Sequence, residues 1–108
     1  MIKAVFIQDG SFRSLEVTGH ADYAEAGKDI VCAACSAIVG TLIGWIYNNP
    51  EHLNSLSAFP SQKEMGDGSG HIYIAADGDS SFQAVFDAVA IGLKTIAQKY
   101  PKNFVTFF

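Results

Sequence analysis

Two short segments of the chain carry residues whose types and spacing favour covalent chemistry. The first is the tripeptide GHA at positions 19–21, and the second is DIVC at positions 29–32, followed by another cysteine at position 35. A deprotonated thiol is a strong nucleophile, and an imidazole beside it can accept the proton. We therefore take Cys32 as the candidate nucleophile of thiol proteolysis and His20 as its candidate base.

The position of Cys32 in its helix supports this interpretation. Asp29 is the expected N-cap, which places Cys32 in the first turn, where backbone N–H groups have no partner within the helix. Those groups and the helix dipole favour a thiolate, and we expect the same N–H groups to hold the oxyanion of the tetrahedral intermediate. Asp29 is assigned a structural role, because a carboxylate beside Cys32 opposes thiolate formation.

The residues alone leave other interpretations open. A lone cysteine in an apolar helix is more often a buried packing residue than a nucleophile. The C-x-x-C spacing of Cys32 and Cys35 also occurs in thiol–disulfide oxidoreductases, although the order of elements here is not that of a thioredoxin-like domain. A metal site of His20 and the two cysteines would lack a fourth protein ligand, since His52 and His71 fall on separate elements. We expect no metal and no other cofactor.

The elements that position these segments follow from apolar periodicity and turn residues. Residues 2–8 and 11–18 predict an opening β-hairpin with its turn at positions 9 and 10. A glycine-bounded loop then leads to residues 30–47, which predict a helix that is apolar nearly all round and therefore buried on most sides. The sequence Asn-Asn-Pro at 48–50 ends this helix.

The second half of the chain predicts a less regular hairpin. Residues 53–65 form a poor strand pattern interrupted by Pro60, and a glycine-rich turn at 66–70 precedes a better strand at 71–76. This hairpin therefore has one irregular arm.

A second helix and a short strand complete the chain. Ser80 begins the helix, with Gln83 completing a capping box, and the tail after Pro101 is a last strand. The resulting order β-β-α-β-β-α-β predicts an α+β fold in which two helices pack on one mostly antiparallel sheet.

Length and composition narrow the class of protein. The 108 residues match the commonest size of one domain, so we expect residues 1–108 to form a single domain. A net charge of −4 argues against a protein that binds nucleic acid directly. The N-terminal segment lacks the features of a signal peptide, and there is no uninterrupted apolar stretch of about 18 residues. We therefore expect a cytoplasmic protein that does not associate with membranes.

Positions 19–36 carry a wider pattern than the two motifs alone. Tyr23, Gly27 and Ser36 accompany GHA and DIVCAA, and this combination resembles the signature of the ribosomal-processing cysteine protease family. The chain is similar to that family in length and in element order. The resemblance implies a catalytic dyad in which the histidine of GHA is His20 and the cysteine of DIVCAA is Cys32.

The resemblance also implies a substrate and an assembly. Such proteases remove a short N-terminal extension from a large-subunit ribosomal protein, after an apolar segment that ends in aromatic residues. They are homodimers, and a mobile loop between histidine and cysteine admits the peptide; here it is residues 21–28, with Gly19 and Gly27 as hinges. Position 35, commonly small and apolar in the family, is Cys here. The alternative from another class is a non-enzymatic, ribosome-associated module that binds the peptide without cutting it.

Overall fold

The structure, a computed structural model, describes residues 1–25, 28–60 and 70–108. Its strands are β1 (Ile2–Asp9), β2 (Phe12–Thr18), β3 (Leu53–Ala58), β4 (His71–Gly78) and β5 (Phe104–Phe107). Its helices are α1 (Ile30–Asn48) and α2 (Ser80–Lys99), with a 3₁₀ turn at Pro50–His52. The strands form one sheet in the order β3-β4-β2-β1-β5, in which only the β1–β5 pair is parallel. The predicted α+β fold and element order are confirmed.

The opening hairpin forms as predicted, but its turn lies one residue further along. Asp9 still pairs with Phe12, so the two loop residues are Gly10 and Ser11. Gly10 has a φ of 59°, a conformation that glycine adopts without the steric cost that other residues bear. The predicted turn at positions 9 and 10 is therefore wrong by one residue, because the glycine occupies the first loop position rather than the second.

Helix α1 begins at the predicted residue and ends one residue later than predicted, but it is less buried than its composition indicates. Six of its 19 residues are buried, and they face the sheet and α2: Val31, Cys35, Val39, Leu42, Ile43 and Ile46. Ile30 and Tyr47 are 53% and 76% exposed. The prediction of a helix buried on most sides is wrong, because one thin sheet and one neighbouring helix cover a single face of it.

By length and composition alone, α1 is long enough and apolar enough to cross a membrane. This is weak evidence for a span, because helices from the cores of soluble proteins share these features.

Among the described residues, no atom beyond the helix's own backbone lies within 4 Å of where a Cβ would stand on Gly40 or Gly44. The two glycines therefore do not serve close packing of α1 on the sheet.

Helix α2 begins at Ser80 as predicted, but its cap differs. The Asp79 carboxylate accepts hydrogen bonds from the amides of Ser81 and Phe82, at 2.9 and 3.1 Å. Gln83 reaches back to the carbonyl of Gly78 at 3.0 Å. The predicted capping box of Ser80 and Gln83 is wrong, because the residue before Ser80 supplies the capping oxygen. The buried residues of α2 recur three or four positions apart and form one face in the core: Phe82, Phe86, Val89, Ala90, Leu93 and Ile96.

The second hairpin is irregular in its first arm, as predicted. Strands β3 and β4 pair antiparallel with register shifts between Leu53 and Ser55 and between Leu56 and Ala58. The end of the predicted arm, at 61–65, and the turn at 66–69 lie outside the described residues, as does the predicted hinge at Gly27. The last residue of the predicted turn, Gly70, is described and has a φ of 71°.

Candidate active site

The start of α1 is organised by Asp29, whose predicted role as N-cap is confirmed. One carboxylate oxygen accepts hydrogen bonds from the amides of Val31 and Cys32, each at 3.0 Å. The backbone carbonyl of Asp29 accepts from the amide of Ala33, also at 3.0 Å. Cys32 is thus the third residue of the helix, in its first turn. The expectation that these amides remain free for an oxyanion is wrong, because the cap of Asp29 already engages them.

The second carboxylate oxygen of Asp29 holds the loop between the two motifs. It accepts from the amides of Tyr23 and Ala24, at 3.0 and 3.3 Å. These hydrogen bonds, that from Cys32 first among them, hold the pKa of Asp29 below its ordinary value. Asp29 therefore fastens both the helix and the loop with one charge.

The Cys32 sulfur makes the contact that joins the two motifs. The backbone N–H of Ala21 donates to Cys32 Sγ at 3.4 Å. Ala21 is 1% exposed, whereas Cys32 is half-buried, so the sulfur remains within reach of solvent. An N–H group aimed at sulfur favours its anionic form. The structure thus brings GHA against the cysteine that the sequence singles out.

The imidazole of His20 is exposed and lies against Gly70. A Cβ added to Gly70 would stand 2.9 Å from His20 Nε2, closer than side chains pack, and the φ of 71° also favours glycine. The Gly70 carbonyl accepts from the amide of Gly19 at 2.8 Å. No sequence pattern indicates that Gly70 contacts His20, since Gly70 belongs to a segment that resembles an ordinary turn.

Hydrogen bonds from residues near both ends of the sequence also hold the backbone of the GHA segment. The side-chain amide of Asn103 donates to the carbonyl of Ala21 at 2.9 Å, across 82 positions of sequence. The nitrogen of Met1 donates to the carbonyl of His20. The sequence does not single out Asn103, because a polar residue between a helix and a strand is ordinarily a loop residue.

Cys35 differs from Cys32 in its surroundings. It is 6% exposed on the core face of α1, and both cysteines are free thiols. Burial, with a smaller contribution from repulsion by Cys32, raises the pKa of Cys35 to about 12. Its thiol is therefore neutral and a poor nucleophile near neutral pH. This disfavours the oxidoreductase interpretation, which needs both thiols to react.

The two other histidines pair with carboxylates. His71 Nε2 lies 3.1 Å from Glu16 Oε2, and His52 Nδ1 lies 2.6 Å from the Asp79 carboxylate at the start of α2. His71 is exposed, whereas His52 is half-buried and contacts the carboxylate that caps α2. Within residues 1–25, 28–60 and 70–108, no three metal-ligating side chains converge.

Comparison with known proteins gives a consistent result. The sequence profile of the family described as cysteine protease Prp matches residues 1–105. The chain is 27% identical over 101 residues to the ribosomal processing cysteine protease Prp of Bacillus subtilis, covering 88% of this chain and 84% of that protein. It is 32% identical over 92 residues to the Prp of Mycoplasma genitalium, covering 84% and 83%.

The fold agrees with solved structures. A crystal structure of the ribosomal processing protease Prp from Staphylococcus aureus, in complex with a covalently linked product peptide, superposes with a TM-score of 0.80. That match covers 99% of this chain and 98% of the other, at 24% identity, and supports the fold. The family match extends over nearly the whole chain and includes both motifs around Cys32. The chain therefore belongs to the Prp family of ribosomal processing cysteine proteases.

Proposed function

We propose that this protease removes a short N-terminal extension from a large-subunit ribosomal protein in the cytoplasm, with Cys32 as nucleophile and His20 as base. The observation that carries the dyad is the hydrogen bond from the Ala21 N–H to Cys32 Sγ. It places the residue next to His20 in contact with the sulfur. The choice of Cys32 over Cys35 follows from burial, because Cys35 is enclosed in the core.

The mechanism follows from these positions. His20 takes the thiol proton, and the sulfur lone pair forms a bond to the scissile carbonyl carbon while the carbonyl π pair moves to oxygen. The oxyanion then re-forms the carbonyl, the C–N bond breaks, and His20 returns its proton to the leaving amine. His20 then takes a proton from water while the water oxygen bonds to the thioester carbon, the C–S bond breaks, and the proton returns to the Cys32 sulfur as the acid product leaves. Asp29 takes no proton in this scheme and keeps the helix start and loop in place.

Support for a peptide substrate comes from the Staphylococcus aureus relative, which has been solved with a substrate peptide. Family resemblance supplies the finer expectation of an apolar segment ending in aromatic residues before the cut. The loop that Asp29 fastens lies between the two motifs, and the family resemblance implies that the loop at this place admits the peptide. Tyr23 and Ala24 in this loop are exposed.

The test uses the full-length protein and the ribosomal protein with its extension, incubated together in reducing buffer. Mass spectrometry is expected to show one shortened product, and the Cys32→Ala variant is expected to leave the substrate intact. Binding of the extension without cleavage by the parent protein would favour the non-enzymatic module instead. Cleavage by the Cys32→Ala variant would show that the nucleophile is another residue.

We further propose that the protein is a homodimer that uses the uncovered side of α1. Ile30 and Tyr47 are exposed there, and Gly40 and Gly44 leave open space beside the helix. Apolar surface of this kind on a soluble protein is commonly covered by a symmetric partner. Sedimentation equilibrium is expected to give about twice the chain mass of 11.6 kDa. A Gly40→Glu variant is expected to sediment as a monomer, whereas a monomeric parent would contradict the proposal.

A further inference from the structure

We infer that the backbone N–H of Ala21 is a catalytic hydrogen-bond donor, and that the Asn103 side chain positions it. The donor stabilises negative charge on Cys32 Sγ before attack and on the adjacent oxyanion during it. This inference rests on the proposed role of Cys32 as nucleophile. It assigns the charge-stabilising role to the loop after β2 instead of to the start of α1.

The first reason is that three amides in the first turn of α1, including that of Cys32 itself, are occupied. The amides of Val31 and Cys32 both donate to the Asp29 carboxylate, and that of Ala33 donates to the Asp29 carbonyl. A donor already engaged by a carboxylate is poorly disposed to leave it for an oxyanion. By contrast, the Ala21 N–H already points at the sulfur, at 3.4 Å. The oxyanion forms on the carbon that bonds to this same sulfur, so the donor lies beside both charges.

The second reason is that the Ala21 amide is held on both sides. The preceding carbonyl, of His20, accepts from the nitrogen of Met1. The carbonyl of Ala21 accepts from Asn103 Nδ2 at 2.9 Å. Ala21 is itself 1% exposed, so its methyl group is enclosed. Donors that are fixed before the reaction contribute most to catalysis, because they need no reorganisation when charge develops.

Asn103 is in turn held by its own backbone. Its amide donates to the carbonyl of Tyr100 at 3.0 Å, and its carbonyl accepts from the amide of Ile2 at 2.9 Å. The side chain thus extends from a rigid junction of α2, β5 and β1. A primary amide supplies a neutral N–H donor here, which neither alanine nor leucine can replace.

A first experiment compares Asn103→Ala with a matched control, Asn49→Ala. Asn49 is also half-buried and its Nδ2 also donates to a backbone carbonyl at 2.9 Å, that of Trp45. It lies at the opposite end of α1 from Cys32, about 25 Å away by helical rise. Both variants lose one equivalent hydrogen bond, but only one of these bonds adjoins the sulfur.

Two measurements follow, both in a Cys35→Ala background so that one thiol remains. The first is the rate of Cys32 alkylation by iodoacetamide against pH, which reports the thiolate fraction without any peptidase activity. We expect Asn103→Ala to move the midpoint of the alkylation-rate curve to higher pH. The second is kcat, which we expect to fall about tenfold because the donor is misdirected rather than removed, with little change in KM. Asn49→Ala should leave both unchanged, and equal behaviour of the two variants would overturn the role of Asn103.

A second experiment deletes the donor itself and does not depend on how Asn103 variants fold. Replacing Ala21 by lactic acid turns the His20–Ala21 amide into an ester, which deletes one N–H and also makes the His20 carbonyl a weaker acceptor for the nitrogen of Met1. A synthetic thioester of residues 1–34 can be ligated to residues 35–108, since Cys35 supplies the N-terminal cysteine that the ligation needs. The matched control is the ligated all-amide protein.

We expect the ester protein to lose roughly 10²–10³ in kcat, the cost of one oxyanion donor. An identical kcat for the ester and all-amide proteins would overturn the inference while leaving the proposed function intact. Cleavage by a Cys32→Ala protein would instead overturn the proposed function. The two failures are therefore distinguishable.

Discussion

The two helices begin with the same cap and serve different purposes. Asp29 and Asp79 each use one carboxylate oxygen to accept the amides two and three residues later, at 2.9–3.1 Å. The third residue of α1 is the half-buried Cys32, and that of α2 is Phe82, which is 0% exposed. An equivalent backbone thus presents a thiol to solvent at one helix and anchors the core at the other.

The two caps also differ in what the second carboxylate oxygen binds. At α1 it holds loop amides that lead back to His20, and at α2 it holds the side chain of His52 at 2.6 Å. A helix start thus becomes a candidate reaction site through the groups that the fold brings to it. A capped first turn alone gives only a stable helix end.

The largest contrast is expected at the third residue of each helix. Cys32→Ala should abolish cleavage while the fold is kept, because the sulfur is only partly enclosed. Phe82→Ala should lower the free energy of unfolding by about 3–5 kcal/mol through a cavity in the core. Peptidase assays and urea denaturation separate the two effects. Loss of stability in Cys32→Ala as large as in Phe82→Ala would show that Cys32 is a packing residue.

The histidine beside each helix start gives the next contrast. His20→Ala should reduce kcat by roughly 10²–10⁴, the contribution of a general base. His52→Ala should leave kcat nearly unchanged, because His52 contacts the cap of α2 and not the sulfur. Steady-state kinetics on a peptide that spans the cut site provides the measurement. Equal losses in both variants would mean that His20 acts only through stability.

The caps themselves are expected to differ in their pH dependence. Hydrogen bonds hold the pKa of Asp29 and Asp79 below their ordinary value of 3.8, with the Cys32 amide and the His52 side chain as the respective main causes. Each therefore stabilises the fold above that value and stops doing so as pH falls through its lowered pKa. Both Asp→Asn variants should show a smaller loss of unfolding free energy on acidification than the parent.

Of the two caps, only that of α2 should also make the free energy of unfolding depend on pH near neutrality. The hydrogen bond to Asp79 raises the pKa of His52 above its ordinary value of 6.5. Its stabilisation is fully present below 6.5 and is lost as pH rises through the raised pKa. Asp79→Asn should remove most of this dependence, leaving the smaller contribution of Glu51, and Asp29→Asn should keep it, as measured by urea denaturation from pH 2 to 9. The same slope in both variants would contradict the pairing of His52 with Asp79.

The smallest effect is expected at Cys35. Cys35→Ala should keep most peptidase activity in reducing buffer and lower the free energy of unfolding by about 1 kcal/mol, since one small apolar atom leaves the core. A loss of activity comparable to that of Cys32→Ala, with an unchanged circular dichroism spectrum, would show that the two thiols act together.

The sequence by itself determined the local features. The limits of both helices, the Asp29 cap and the place of Cys32 in the first turn follow from residue types within a few positions of one another. Short-range patterns of this kind are reliable because capping and periodicity depend on neighbours along the chain. Even so, the predicted hairpin turn and the predicted cap of α2 are each wrong by one residue, since several adjacent polar residues can occupy such a position.

Tertiary structure alone decided how the site is assembled. The contact of Ala21 with the sulfur depends on where β2 ends relative to α1, and the bond from Asn103 joins residues 82 positions apart. The fit of His20 against Gly70 likewise depends on the meeting of two loops. No local pattern encodes these contacts, because they arise from the packing of distant elements. The sequence therefore identified the candidate reactive residues, and the fold decided which groups surround them.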